Sequence, residues 1–287
     1  MTKVKIVTDS TADLSKEQIR ELGISVVPLS ITIDGVTFLD RVDITPKEFL
    51  TKMKQSAELP KSSQPAVGHF VELYDQLGSD GSEILSIHMT GGMSGTVASA
   101  ENAARLSESK VTVIDSMYIS RALVFQVVEA AKMANAGHTM DEIVKRIEEI
   151  RENTTLFVTV DTLENLVKGG RIGKGKALIG SILNIKPIAS LQDGVYTPVS
   201  KVRSHAKIVK YLSEKFAEDV KDKMIKGVAI AQVDAVELAS NLKDAIKKLT
   251  GYEDVDIVDT TPVISTHTGP GAIGFMYYVE IERKNDV

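Results

Sequence analysis

The sequence predicts an α/β protein with two domains, and three observations support this prediction. In the first half, strand-like and helix-like segments alternate, which is typical of a parallel sheet covered by helices on both faces. In the second half, a hairpin signal and a strand-rich end favour a mixed sheet with helices on one face. The chain of 287 residues is long enough for two modest cores. We therefore expect a three-layer α/β/α domain over residues 1-154 and a two-layer α/β domain over residues 155-287.

The elements of the first half follow one another in order. The strand "VKIVTDS" precedes Ser15 and Gln18, a capping-box pair that predicts the start of a helix. The segment "ISVVPLSITI" has the composition of one long strand, which we expect to turn at Asp34-Gly35. Further helices and strands alternate after it: "TPKEFLTKM", "FVELYDQLG", "EILSIHM", "TVASAENAARL", "KVTVID", "ALVFQVVEAAKMANAG" and "MDEIVKRIEEIREN".

The second half begins with the strand "TLFVTV", a short helix and a Gly/Lys-rich loop. The segments "IKPIASL" and "VYTPVSKV" flank an Asp193-Gly194 turn and predict a hairpin. Two helices flank the strand "KGVAIAQV". The remaining stretch, "VDIVDTTPVISTHTGPGAIGFMYYVEIER", is rich in strand formers, and we expect no closing helix there.

Composition narrows the function classes. The net charge of -5 disfavours a nucleic-acid partner. The absence of cysteine excludes disulfides, thiol nucleophiles and Cys-ligated zinc, and fits a cytoplasmic location. No apolar run has the length of a membrane span, and the N-terminus lacks the apolar core of a signal peptide.

The stretch "GGRIGKGKA" is close to a phosphate-binding loop. Gly170, Gly175 and Lys176 fit that motif, but Ala177 stands where a hydroxyl should bind magnesium. The preceding segment "DTLENLVK" also has helical spacing, whereas such a loop should follow a buried strand. We interpret the stretch as an exposed basic loop.

A second stretch, "GPGAIG", matches a dinucleotide-binding pattern by chance. It is followed by a strand instead of a helix, so no helix N-terminus is available for a pyrophosphate. We expect a glycine-rich turn between strands.

Three turns rich in hydroxyl groups, "TDSTAD", "KSSQPAVG" and "HMTGGMSGT", each precede a predicted helix. Ligands of open α/β sheets bind at the carboxyl ends of parallel strands, and helix N-termini favour anions. We therefore expect these turns to converge, with Ser62 and Ser94 as candidate ligand groups. The alternative is that Ser62, Ser63 and Ser94 only cap the helices that follow. Ser94 does not lie in a G-x-S-x-G motif, because Thr96 takes the last position.

Three cationic or titratable side chains lie beside glycines or hydroxyl groups. His267 lies in the turn "STHTGPG", and no two of the five histidines have metal-ligand spacing. Arg171 lies in the Gly/Lys-rich loop and Arg203 in "KVRSHAK". An arginine in such surroundings is a candidate partner for an anion.

The motifs "TDSTADL", "SSQPAVG", "GGMSGT", "KGGRIGK" and "TPVISTHTGPGAIG" resemble, in order and spacing, those of the DegV family. The resemblance covers the whole chain and implies two α/β domains with a long-chain fatty acid between them. Within the family the chain is most similar to the fatty-acid-binding subunit of bacterial fatty acid kinase (FakB type). That type implies a separate ATP-dependent kinase subunit as partner, and transient contact with an acyltransferase or a membrane surface.

The resemblance also implies roles for individual residues. Ser62, Ser94 and His267 match the positions that bind the fatty-acid carboxylate, although Ser62 replaces the family's threonine. Arg171 and Arg203 match arginines implicated in phosphoryl transfer or in the interaction with the kinase. No metal and no cofactor are implied, and the chain alone is not expected to catalyse a reaction.

Elementary energetics agrees with this expectation. Each buried CH2 group contributes about 0.8 kcal/mol, so a tail of about sixteen such groups gains on the order of 13 kcal/mol before ordering costs. The carboxylate is already ionised at neutral pH, since its reference pKa is about 4. Two alternatives stay open: a stand-alone small-molecule kinase or a hydrolase using Ser94, and a binder of a small polar metabolite.

Overall fold

The computed structural model describes residues 3–179 and 185–281. Its first half forms a four-stranded parallel sheet in the order β2-β1-β6-β7, together with a small antiparallel sheet in the order β4-β3-β5. The strands are β1 (Val4–Asp9), β2 (Ser25–Val27), β3 (Ser30–Ile33), β4 (Val36–Leu39), β5 (Lys61–Ser63), β6 (Glu83–His88) and β7 (Val111–Asp115). The helices are α1 (Lys16–Leu22), α2 (Pro46–Gln55), α3 (Val67–Gly78), α4 (Thr96–Leu106), α5 (Ser120–Asn135) and α6 (Met140–Glu152).

The second half forms a six-stranded mixed sheet in the order β10-β9-β8-β13-β11-β12. Its strands are β8 (Thr154–Thr159), β9 (Lys186–Ser190), β10 (Thr197–Val202), β11 (Lys223–Val233), β12 (Asp256–Asp259) and β13 (Ala272–Ile281). Its helices are α7 (Glu164–Lys168), α8 (His205–Asp219), α9 (Val236–Thr250) and α10 (Pro262–Thr268), with short 3-10 helices at Gly173–Leu178 and Gln192–Gly194. The predicted α/β fold, with one parallel and one mixed sheet, is confirmed. The division into domains over residues 1-154 and 155-287 stays a proposal; β8 begins at Thr154.

The strand predicted from "ISVVPLSITI" divides at Pro28. The residues before it pair in parallel with β1, and those after it start the small antiparallel sheet. Proline has no N–H for a continuing ladder, and the N–H of Leu29 instead donates to the Ser10 hydroxyl at 3.1 Å. The turn at Asp34-Gly35 forms as predicted, with positive φ at both residues. The predicted turn "KSSQPAVG" opens with β5, so Ser62 lies on a strand opposite Ile31.

The C-terminal stretch contains a helix that was not predicted. Thr261 is the N-cap of α10 and accepts from the N–H of Ile264 at 3.4 Å, while Pro262 occupies the first helical position. His267 therefore lies in the last turn of a helix and not in a glycine-rich turn. The glycines that follow connect this helix to β13, so the expectation of a turn between two strands was wrong. The predicted end of the last strand, Glu282 and Arg283, lies outside the described residues.

Helix α5 lies between the two large sheets and packs on strands of both. Its apolar side chains belong to a core that includes Ile6 from the first sheet and Met276 from the second. Helices α8 and α9 cover the other face of the mixed sheet with a separate core around Phe216 and Phe275. The two halves therefore share one continuous apolar interior.

A buried carboxylate, Asp13, also connects the halves. It accepts hydrogen bonds from Ser120 at the start of α5 and from Thr260, which precedes α10, the latter at 3.0 Å. Its Oδ1 atom has no partner among the described residues. Burial raises the pKa of Asp13 to about 6, although the bond from Ser120 and the nearby Arg41 act in the opposite direction. The fold thus favours the protonated form of this acid.

We expect Asp13→Asn to become more stable relative to wild type as the pH rises from about 4 to 6. The folded chain keeps the Asp13 proton up to pH 6, whereas the unfolded chain loses it near 3.8, so wild-type stability falls across this window. The asparagine oxygen can accept from Ser120 and Thr260, and its amide replaces the unpartnered oxygen. Urea unfolding at pH 4 and pH 7.5 should show a relative change of up to about 3 kcal/mol.

Asp80→Asn provides a control in which the pKa of the acid moves in the other direction. Hydrogen bonds from Lys5 and Ser82 lower the pKa of the exposed Asp80. Asp80 is therefore ionised in both the folded and the unfolded chain above about pH 5, and its loss should cost the same at pH 5 and 7.5. A relative stability of Asp13→Asn that did not change with pH would contradict the prediction.

Candidate functional site

A cavity lies between the two halves of the chain. It encloses about 600 Å³ of space between atoms, including the part that opens to solvent. Both halves contribute side chains, and most of these are apolar. The apolar members are Leu29, Met89, Met93, Ile119, Val158, Leu166, Leu191, Val263 and Ile264. An apolar lining with a few polar groups is typical of a small-molecule site.

Four of the five predicted site residues line this cavity: Ser62, Ser94, Arg171 and His267. They come from separate elements, namely β5, the turn before α4, the loop after α7, and α10. The Ser62 Oγ and His267 Nε2 atoms are 2.7 Å apart, so this pair joins the two halves. The structure therefore brings together residues that lie as far as 205 positions apart in the chain.

The turn containing Ser94 lies at the N-terminus of α4. The Ser94 hydroxyl is 2.8 Å from the Thr96 hydroxyl and accepts from the Thr96 N–H at 3.3 Å. Gly92 is needed there, since a Cβ atom would come within 2.6 Å of the Gly194 carbonyl oxygen. The adjacent Thr90 hydroxyl donates to the same oxygen at 2.8 Å. The turn is thereby fixed against the second half of the chain.

Arg171 is oriented by backbone carbonyl groups. Its Nε donates to the Met93 carbonyl at 3.0 Å and its Nη1 to the Gly169 carbonyl at 2.7 Å. Among the described residues it forms no ion pair with a carboxylate. A partly buried guanidinium with an uncompensated charge favours an anionic ligand.

His267 is neutral in the folded protein. Burial, together with the positive charge of Arg171, lowers the pKa of His267 to about 4. Its Nδ1 atom lies over Gly169 and has no partner among the described residues. A side chain at Gly169 would collide with the imidazole ring, so glycine is required there. The ring can exchange hydrogen bonds at Nε2 without adding a second positive charge to the site.

A second apolar cavity of about 340 Å³ continues from the first. The two share the wall residues Ile119, Val158, Ile264 and Thr268. Beyond these, strands β11 and β13 contribute small or flexible side chains such as Ala231 and Met276. The two spaces are therefore adjacent, and we call them together the slot; Ser62, Ser94, Arg171 and His267 line the first of them.

Two predicted features, the turn "TDSTAD" and Arg203, do not line the cavity. The turn "TDSTAD" contributes no lining residue, so the three turns do not all converge on the ligand space. Its Asp9 and Asp13 instead bond to neighbouring elements. Arg203 is exposed between β10 and α8 and does not line the cavity. Its assigned role stays a prediction.

Sequence reasoning also missed lining residues, among them Gln64 and Tyr196. Gln64 lies within the quoted "KSSQPAVG" motif and packs over Gly95, where a Cβ would meet its amide at 2.5 Å. Tyr196 lies after the hairpin turn, where no local pattern signals its burial.

In the described part of the chain, no group of acidic, histidine or cysteine side chains could hold a metal ion. Nor does any helix within it have the length and apolar character to cross a membrane.

Known proteins resemble this chain over nearly its full length. A family model described as "Uncharacterised protein, DegV family" matches residues 3–280. A DegV domain-containing protein of Staphylococcus aureus is 44% identical over 276 residues, which cover 96% of this chain and 99% of that protein.

Solved structures show the same fold. A fatty-acid-binding DegV family protein from Thermus thermophilus superposes with a TM-score of 0.91 at 30% identity, covering 97% of this chain and all (100%) of the other. DegV from Bacillus subtilis, described as a fatty acid binding protein, gives 0.89 at 30% identity, covering 98% and 100%.

Proposed function

We propose a function on the premise that this chain belongs to the DegV family. It binds a long-chain fatty acid in the slot between its two halves and presents the carboxylate to a separate ATP-dependent kinase subunit. The observation that supports this most is an apolar slot whose polar groups include an arginine without a carboxylate partner among the described residues. The description of two structural neighbours as fatty-acid-binding proteins supports it further.

The polar groups fit a carboxylate. Arg171 supplies the opposite charge, and the Ser62 and Ser94 hydroxyls supply donors. If the neutral His267 donates from Nε2 to Ser62 Oγ, the Ser62 hydroxyl is free to donate to the ligand. The carboxylate needs no general base, because it is ionised at neutral pH.

The tail would lie along the apolar side chains and extend into the second cavity. Met89 and Met93 line the first cavity and Met276 lines the second, and their flexible thioethers adapt to irregular shapes. Such a lining disfavours the alternative of a small polar metabolite, which needs more hydrogen-bonding groups than apolar walls supply.

The chain has no described phosphate-binding loop of its own, which supports the reliance on a partner for ATP. The Gly170–Lys176 stretch follows the short helix α7 instead of a strand and continues into a 3-10 helix. Outside the cavity mouth, a groove contains Lys61, Lys168 and Arg171. The lysines pair with Glu58 and Glu164, so Arg171 is the cation of this set that would attract phosphates or an acidic partner surface. An acyltransferase or a membrane surface as a transient partner, and a cytoplasmic location, belong to the same proposal.

A hydrolase is disfavoured by the surroundings of Ser94. Its hydroxyl contacts Thr96, and no described histidine hydrogen-bonds to it, so no base is in place to activate it. We infer that the chain alone does not catalyse a reaction. Incubation of the pure chain with ATP and oleate tests this directly, because turnover without a partner would support a stand-alone enzyme.

Native mass spectrometry should show a fatty acid bound to the purified protein at 1:1. We expect an acid of about 16 to 18 carbons, because a tail of this length gains on the order of 13 kcal/mol on burial. Extraction and identification of the lipid would give its length and unsaturation. A protein that carried no acid, and that took up none after delipidation and incubation with palmitate, would contradict the proposed function.

Ser62→Ala should weaken palmitate binding by about 5- to 100-fold, because a hydroxyl donor to the buried carboxylate is lost. Ser63→Ala is the matched control, since Ser63 lies on the same strand but is exposed and outside the cavity. Fluorescence displacement titration of both variants measures the difference. Equal affinities for the two variants would count against the placement of the carboxylate.

Arg171→Gln should reduce kinase-dependent acyl-phosphate formation at saturating fatty acid by at least about 10-fold, because phosphoryl transfer needs charge compensation at the carboxylate. Lys174→Gln removes the same charge from the same loop, outside the cavity, and should have a smaller effect. Arg203→Gln tests the second arginine in the same assay. If Arg171→Gln behaved as Lys174→Gln does, Arg171 would have no specific role in the transfer.

A further inference from the structure

Tyr196 is a buried phenol in the wall of the cavity that the proposed function does not use. Only 1% of its surface is exposed. Its hydroxyl has no hydrogen-bond partner among the described residues, although the ring lines the ligand space. Buried phenol groups normally find a partner, since an unpaired one loses its hydrogen bonds to water without compensation.

Two glycines of the phosphate-loop-like stretch, Gly173 and Gly175, leave room for Tyr196. A Cβ atom on Gly175 would approach the Tyr196 ring to 3.0 Å, and one on Gly173 would approach the Tyr196 carbonyl oxygen to 2.8 Å. The Lys174 N–H donates to that same carbonyl at 3.0 Å. The spacing that imitates a nucleotide motif therefore serves to seat an aromatic side chain against the ligand space.

No polar group of the described residues forms a hydrogen bond with the Tyr196 hydroxyl. Arg171 donates to two backbone carbonyls, and Ser62 and His267 bond to each other. The side chains that share a core with Tyr196, such as Ile172 and Leu191, are apolar. Burial raises the pKa of Tyr196, so the group stays protonated and available as a donor.

We propose that the Tyr196 hydroxyl donates a hydrogen bond to an oxygen atom of the bound acid. The inference rests on the proposed function, because it needs an acyl ligand in the cavity. This oxygen belongs either to the carboxylate or to a hydroxyl group on the alkyl tail of the acid. In the second case Tyr196 would select oxygenated over plain fatty acids.

The test compares Tyr196→Phe with wild type, each delipidated and titrated with palmitate and with a positional series of monohydroxylated hexadecanoates. We expect the variant to bind at least one of these acids about 5- to 100-fold more weakly. If binding of all the acids is weakened equally, the hydrogen bond goes to the carboxylate. If binding of only one hydroxylated isomer is weakened, the bond goes to the hydroxyl group on its alkyl tail. Affinities unchanged for every acid would overturn the proposal. If wild type bound none of them, the proposed function itself would fail.

A second measurement separates a ligand contact from a structural role. Without ligand, Tyr196→Phe should leave the free energy of unfolding unchanged or raise it, because no described partner within the protein is lost. Tyr277→Phe is the matched control: that phenol is equally buried but bonds Asp219 at 2.6 Å in the core beyond the mixed sheet. The control should lose stability and keep its affinity. A comparable loss of stability in Tyr196→Phe would contradict the inference.

Discussion

The charge of Arg171 is the constraint around which the site is organised. This partly buried guanidinium is held by two carbonyl groups at the edge of an apolar cavity, and no described carboxylate compensates its charge. The same charge contributes, after burial, to the lowered pKa of His267, which keeps the imidazole neutral and the net charge of the site at one. An anion with a long apolar tail satisfies both parts of this environment at once. Neither a neutral lipid nor a small polar anion does so.

Local signals predicted much of the fold, and the misses have specific physical causes. Ser15 forms the capping box that the sequence predicts, and Thr45 and Thr139 form the same interaction, because it involves residues three positions apart. The division of the strand at Pro28 depends on Ser10, which lies 19 residues from Leu29 and receives its N–H. Helix α10 has an N-cap hydrogen bond at Thr261 but no capping box, and its threonines and β-branched residues favour a strand when the sequence is considered alone.

The candidate site divides in a similar way. Ser62, Ser94, Arg171 and His267 could be singled out because glycines and hydroxyls mark their motifs, and the family resemblance gave each a role. Tyr196 and Asp13 could not be singled out in this way. The hydrogen-bond partners of Asp13 lie more than a hundred residues away in the chain. The lack of a partner for the Tyr196 hydroxyl among the described residues depends on how several elements pack around it. Arg203 shows the converse, because its local sequence suggests an anion site whereas its side chain is exposed and away from the cavity.

The pairing of Ser62 with His267 has a consequence for how the molecule melts. The backbone passes from the parallel sheet to the mixed sheet at Asn153, and the cavity walls come from both sides of that crossing. This pairing, the shared core around α5 and the bonds of Asp13 all couple the two sheets. The molecule should therefore melt in a single calorimetric transition whether its cavity is empty or filled, and an occupant of the cavity should only raise the temperature of that transition.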